Sequence, residues 1–223
     1  MLDPTQSVAN LVLEHSECGP VFQKHRIDYG CRGEVSVSAA ALAHRLDLGE
    51  LLGELDRAIL ERQQARSEDP RMRSTRDLIQ HIRTTHHAYL RTMLPFNSNL
   101  AAKVSRVHGD HNPKLRDVMQ CMQVLSETLL RHLEDEEDEL FPLLLSEVQD
   151  GARLQPLMRM MLDEHRAVGA LLAHLRDAAD DFGTPDWACS SYRTLMAELR
   201  QLEGDTLTHL HLENHVLRPR FAA

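Results

Sequence analysis

Aromatic residues make up only 4% of this chain, with a single tryptophan, and runs of β-branched residues are nearly absent. Sheets are built on those residue types, so their scarcity beside abundant Leu, Ala, Glu and Arg predicts an all-α protein. Lys and Arg are nowhere concentrated, and the formal net charge is -9. A phosphate-binding surface needs clustered cations, so no nucleic-acid partner is expected. No apolar run is long enough for a membrane span, and the start "MLDPTQSVAN" lacks the basic and apolar regions of a secretory signal. These absences predict a cytoplasmic protein with no membrane partner. The four cysteines, Cys18, Cys31, Cys121 and Cys189, contain no C-x-x-C pair and are too widely spaced for a zinc site or a disulfide framework, and they read as free thiols.

What the chain does have is 14 histidines in 223 residues, scattered through helical patterns rather than gathered in a tag. Residues 1–66 hold short helical patterns interrupted by "CGP" and by the turn "DYGCRGE", and form a small N-terminal helical domain. The polar segment "ARSEDPRMRS" ends at Ser74 and Thr75, both candidate helix caps. From 74 to 223 the pattern gives four long helices, at about 75–107, 113–149, 154–182 and 187–217, separated by "GDHNP", "QDGARLQP" and "FGTPDW". Short connections between long helices make antiparallel neighbours, so the expected architecture is an up-down-up-down four-helix bundle.

Within the bundle a motif repeats. "HLEDEEDELFP", from His132 to Pro142, returns as "HLHLENHVLRP", from His209 to Pro219, with His, Leu, Glu, Leu and Pro at matching offsets. The phase of the apolar stripes shows where these polar residues point. Leu125, Leu129, His132, Glu136 and Leu140 follow three- and four-residue steps, and so do Met158, Met161, His165, Val168, Leu172 and Leu175. The fourth helix gives Leu195, Leu199, Leu202, Thr206, His209, Glu213 and Val216. Two helices therefore bring a His and a Glu inward, and a third brings a His alone. No Lys or Arg lies in these seams. Ionised carboxylates in a dry core cost several kcal/mol each unless paired or metal-bound, in order of magnitude. A metal cluster answers that cost, and mixed oxygen and imidazole ligands suit iron or manganese. In the first helix the seam Ile79, Ile82, His86, Leu90 and Met93 selects His86 as the inward histidine.

These residues carry a family resemblance. The stretches "VFQKHRIDYGCRGE", "HIRTTHHAYLRTMLP", "HLEDEEDELFP", "DEHRAVGALL" and "HLHLENHVLRPR" resemble the hemerythrin-like (HHE cation-binding) di-iron proteins for repair of iron centres, which place a short ScdA-type domain before the bundle. The resemblance implies two iron ions with an oxo or hydroxo bridge, ligated by His87, His132, Glu136, His165, His209 and Glu213. At the first helix it selects His87, eight residues before Pro95, where the apolar phase selects His86. It further implies repair of iron–sulfur clusters damaged by nitrosative or oxidative stress, by iron donation, with damaged iron–sulfur proteins as partners. Two alternatives belong to other classes: binding or reduction of nitric oxide at the di-iron centre, which would make the protein a redox enzyme, and an oxygen-binding or oxygen-sensing module. The ligand set is poorer by one His than that of oxygen-carrying hemerythrins, which implies a more reactive or more easily released pair of irons.

The N-terminal turn departs from the family pattern, which has adjacent cysteines. Here Asp28, Tyr29, Gly30, Cys31, Arg32 and Gly33 offer one. Cys31 alone could form a mixed disulfide, bind iron or take up a nitrosyl group; its other reading is a small residue packed in a turn. Histidines such as His108, His174, His211 and His215 are expected at the surface or in packing. The sequence leaves the oligomeric state open, a homodimer included.

Overall fold

The computed structural model describes residues 2–62, 69–147 and 150–221. The expected domain limit at 66 and the expected helix end at 149 lie outside the described residues. The fold is all-α; among the described residues the single extended pairing is an isolated antiparallel bridge between Ser7 and Ser36. The chain divides into two compact units, Met1–Leu78 with Leu207–Ala223, and Ile79–Thr206.

The first unit begins with four helices, α1 (Val8–Glu14), α2 (Cys18–Lys24), α3 (Val37–Ala43) and α4 (Leu48–Arg62). Ser7 and Ser36 start α1 and α3: the Ser7 hydroxyl accepts from the Asn10 N–H and Ser36 from the Ala39 N–H, each satisfying a donor that the first turn leaves open. "CGP" opens α2 rather than interrupting a helix, because a proline is tolerated in a first turn whose N–H groups have no helical partner. Val8, Leu11, Phe22, Ile27, Val37, Leu51 and Leu55 form the apolar core of this unit.

The second unit holds the bundle. The first long run is α5 (Thr75–His81), a π-helical turn (Ile82–His87) and α6 (Ala88–His108); the second is α7 (Lys114–Asp135), a π turn (Glu136–Leu140) and α8 (Phe141–Leu144). The third is α9 (Gly151–Ala178), and the fourth is α10 (Ser190–Leu212), which passes into a π turn (Glu213–Leu217). The division between the units falls inside α10, after Thr206. Helix α7 packs against both α6 and α9. Leu90, Leu94, Met122, Leu125, Leu129, Val168, Leu172, Leu199 and Leu202 are each at most 2% exposed, and each contributes roughly 1.5–3 kcal/mol by leaving water.

A buried ion pair that no apolar stripe announces joins α9 to α10. The Arg176 guanidinium donates to both carboxylate oxygens of Glu203 and lies 4.9 Å from the centre of the Phe182 ring. Fork-to-fork pairing answers most of the desolvation cost of two buried charges. It fixes the register of α9 on α10.

Candidate metal centre

Three of the four ligand-bearing runs change from α to π geometry at a candidate ligand. His87 ends the first π turn, Glu136 begins the second and Glu213 begins the third. A π turn holds one extra residue, so the inward face slips by one position. That slip brings both histidines of the first helix inward. Ahead of it Ile79, Ile82 and His86 face inward, and after it the buried positions are His87, Leu90, Leu94, Asn97, Ala101, Val104 and Ser105. Met93, expected in the seam, is only half-buried while Leu94 is fully buried. Both histidines are enclosed, but they face different partners. His86 Nδ1 lies 3.0 Å from Asp205 Oδ1, whereas His87 Nε2 lies 3.5 Å from Glu136 Oε2.

Around Glu136, 2% exposed, three imidazoles converge within the second unit. His132 Nε2 is also 3.5 Å from Glu136 Oε2, and His165 Nε2 is 3.2 Å from His132 Nε2. The far nitrogens are anchored outside. His87 Nδ1 lies 2.7 Å from Glu137 Oε1, and His132 Nδ1 lies 2.9 Å from Glu164 Oε2. A carboxylate only accepts, so each Nδ1 carries the proton and each Nε2 turns a lone pair inward, the tautomer that a metal ligand needs. Glu164 is held below the usual carboxylate range by the hydrogen bond from His132, against a smaller upward push from burial. For Glu137 burial pushes upward most strongly, yet the His87 hydrogen bond and the Arg91 charge together bring its carboxyl below the ordinary value.

In the first unit, the end of α10 carries His209 and Glu213, both fully buried, with His209 Nε2 2.9 Å from Glu213 Oε1. The intervening and following residues hold the turn from Asp28 to Gly33. His211 Nδ1 donates to the Tyr29 carbonyl at 3.1 Å, Asn214 Nδ2 to the Gly30 carbonyl at 2.9 Å, and His215 Nε2 to the same carbonyl at 3.1 Å. The Tyr29 hydroxyl meets Thr208 Oγ1 at 3.1 Å. A side chain at residue 30 has no room, because a Cβ there would sit 2.7 Å from the Leu207 carbonyl oxygen. Gly33 is equally confined, 2.5 Å from the Tyr29 carbonyl by the same measure. Cys31 is half-buried, and its N–H donates to Asp28 Oδ1 at 2.8 Å. Burial pushes the thiols of Cys18 and Cys121 up to about 12 and about 11, so both stay protonated and inert.

Within the second unit the ligand atoms of His132, Glu136 and His165 are mutually within 4.8 Å, as are those of His87 and Glu136, and within the first unit so are those of His209 and Glu213. All six residues are buried. The donor set fits a metal: imidazole nitrogens and carboxylate oxygens in a low-dielectric interior, a combination whose negative charge a cation would balance.

The Hemerythrin HHE cation binding domain model matches residues 78–221, well over half of the chain. The chain belongs to the hemerythrin HHE family. A second model, a domain of unknown function (DUF542, ScdA_N), matches residues 4–59. Over 97% of its length the chain is 28% identical to the iron-sulfur cluster repair protein ScdA of Staphylococcus epidermidis, spanning 98% of that protein. It is 30% identical over 98% of its length to the iron-sulfur cluster repair protein YtfE of an Enterobacter species, covering 97% of it, and 30% identical over 96% to YtfE of Yersinia pseudotuberculosis, covering 96%. A hemerythrin HHE domain binds a cation, and the buried His and Glu groups are where this chain could hold one. No helix among the described residues is long and apolar enough to cross a membrane.

Sequence reasoning gave no role to Glu137 or Glu164. Glu137 belongs to a charged run that reads as a solvated face, yet its carboxylate meets His87. Glu164 precedes His165 and is therefore off the inward seam, and it serves a histidine on the neighbouring helix. An acid one position from an inward ligand was the available signal in both cases.

Proposed function

We propose that this chain is a di-iron protein that repairs damaged iron–sulfur clusters by donating iron. His87, His132, His165 and His209 would hold the metals as imidazole ligands, and Glu136 and Glu213 would serve both. The carrying observation is the repeated buried pair: His132 beside Glu136 in one unit and His209 beside Glu213 in the other, with His87 and His165 next to the first pair, the donor set expected where two cations are held. Iron bound there supplies a redox-active cation that can leave as well as react. The protein's own residues do the rest: Glu137 and Glu164 fix the His87 and His132 rings, and the apolar walls of Leu90, Leu129 and Val168 keep water out.

The names of the full-length relatives support repair over the two alternatives, because nitric oxide reduction and oxygen sensing find no counterpart in them. The client would be a damaged iron–sulfur protein met in the cytoplasm, an environment suited to four free thiols. The test is transfer: the iron-loaded chain is mixed with an apo iron–sulfur protein and a sulfide source. Repair predicts that iron leaves this chain as client activity returns. Retention of all iron while the client stays inactive, or turnover of nitric oxide with added reductant, would replace repair by a redox function. Metal analysis that finds one ion or none per chain after loading would remove the di-iron centre.

A further inference from the structure

On the outer side of the first run, a cavity of about 360 Å³ is lined by Gln80, Arg83, Thr84, Ala88, Arg91 and Glu137. Two of these residues are cations and one is an anion. The Arg91 guanidinium lies 3.0 Å from Glu137 Oε1, the oxygen that already accepts from His87, while Arg83 Nη2 stands 3.6 Å from Oε2, beyond a good hydrogen bond. Among the described residues neither arginine has a second acidic partner, and both are partly exposed, at 49% and 39%. The pocket thus carries an excess positive charge on a chain whose net charge is -9.

Its shape selects the ligand. Arg83 and Arg91 are eight residues apart on one helical run, and their head groups approach opposite oxygens of the one Glu137 carboxylate, which fills the space between them; the small Ala88 also lines the cavity. A compact single anion would pair with one guanidinium and crowd the Glu137 carboxylate. An anion whose carboxylates are separated by a short carbon chain would give each arginine its own planar, two-oxygen partner. The volume is that of a small-molecule site. Hard carboxylate oxygens are also the ligands by which small molecules carry iron.

We propose that this pocket is a binding site for a small di- or tricarboxylate of the iron-chelating kind, docked on Arg83 and Arg91 beside the carboxylate that orients His87. The link to iron rests on the donor reading above; the pocket itself does not. Citrate serves as the probe, titrated calorimetrically into the metal-free full-length chain at low salt. The expected result is saturable one-to-one binding that weakens at least about tenfold in the Arg83→Gln, Arg91→Gln double variant. Both arginines are partly exposed, so that variant should melt close to the parent. Glu137→Gln should shift affinity the other way, because the competing carboxylate is gone; a merely structural Glu137 would not tighten citrate. Unchanged binding in the double variant, no binding by the parent, or inorganic phosphate binding as tightly as citrate would each overturn the proposal. Citrate binding by a chain that takes up no iron would leave the pocket standing and sink the donor function; iron uptake and transfer without citrate binding would do the reverse.

Discussion

The two copies of the His-x-x-x-Glu repeat lie in the same local geometry and in different surroundings. In each, the histidine lies in the last turn of an α-helix and the glutamate opens a π turn, and both pairs are at most 2% exposed. Around the first copy the flanking acids are put to use: Glu137 holds His87, and across the bundle Glu164 holds His132. Around the second copy the flanking residues are His211, Asn214 and His215, which hold the backbone of the N-terminal turn. One repeat is oriented by carboxylates, the other is tied to a neighbouring segment. The comparison teaches that the inward half of the motif keeps its His and Glu in both copies, while its outward half is free to serve whatever packs there.

The largest effect expected from breaking this likeness is on the two inward glutamates. Glu136→Ala and Glu213→Ala should each lose most of the bound iron, measured as metal per chain after desalting, because each would remove an anion proposed to serve both metals. Loss in only one of the two variants would show that the copies are not equivalent. Next in size is Glu164→Gln, which keeps the shape of the side chain but weakens the hold on His132. Metal affinity should fall about 10- to 100-fold while the metal-free melting temperature moves little. A third change tests the tie of the second copy. Gly30→Cys, which restores the vicinal cysteines of the family pattern, forces a Cβ against the Leu207 carbonyl and should cost about 1–3 kcal/mol in a denaturant titration. Cys31→Ala should be nearly neutral there, so equal losses in the two would refute the steric account. The smallest effect is expected at Glu134, exposed beside Glu136 in sequence: Glu134→Gln should shift stability by less than about 0.5 kcal/mol and leave metal content unchanged.

Much of this arrangement was legible in the sequence because a helix repeats its inward face every three to four residues. Every seam position read for the second, third and fourth runs is buried, His132, Glu136, His165, His209 and Glu213 included. Phase reading failed at Met93 and passed over the burial of His87 beside His86, and for one reason: a π turn shifts the count by a residue, and apolar spacing carries no mark of it. The prolines are the nearest signal. Pro142 and Pro219 follow the second and third π turns, and a proline cannot donate the hydrogen bond that a regular helix would require at that place. Arg176 and Glu203 were not legible as a pair, because each sits beside an apolar seam residue and reads as solvated until the facing helix is known. Glu137 was hidden in the same way inside an acidic run.

The π turns also separate the ligands by how firmly their backbone is held. Wide turns close with poorer hydrogen bonds than the α-helix around them, so His87, Glu136 and Glu213 stand at the places where their helices open most readily. His165 sits in the middle of the unbroken 28-residue α9, a fixed post by comparison. Amide exchange should therefore be fastest at the turns 82–87, 136–140 and 213–217 and slowest along α9. Under the proposed ligation a metal would not have to wait for the bundle to unfold before it leaves: His87, Glu136 and Glu213 could loosen with their turns while His165 stays in place.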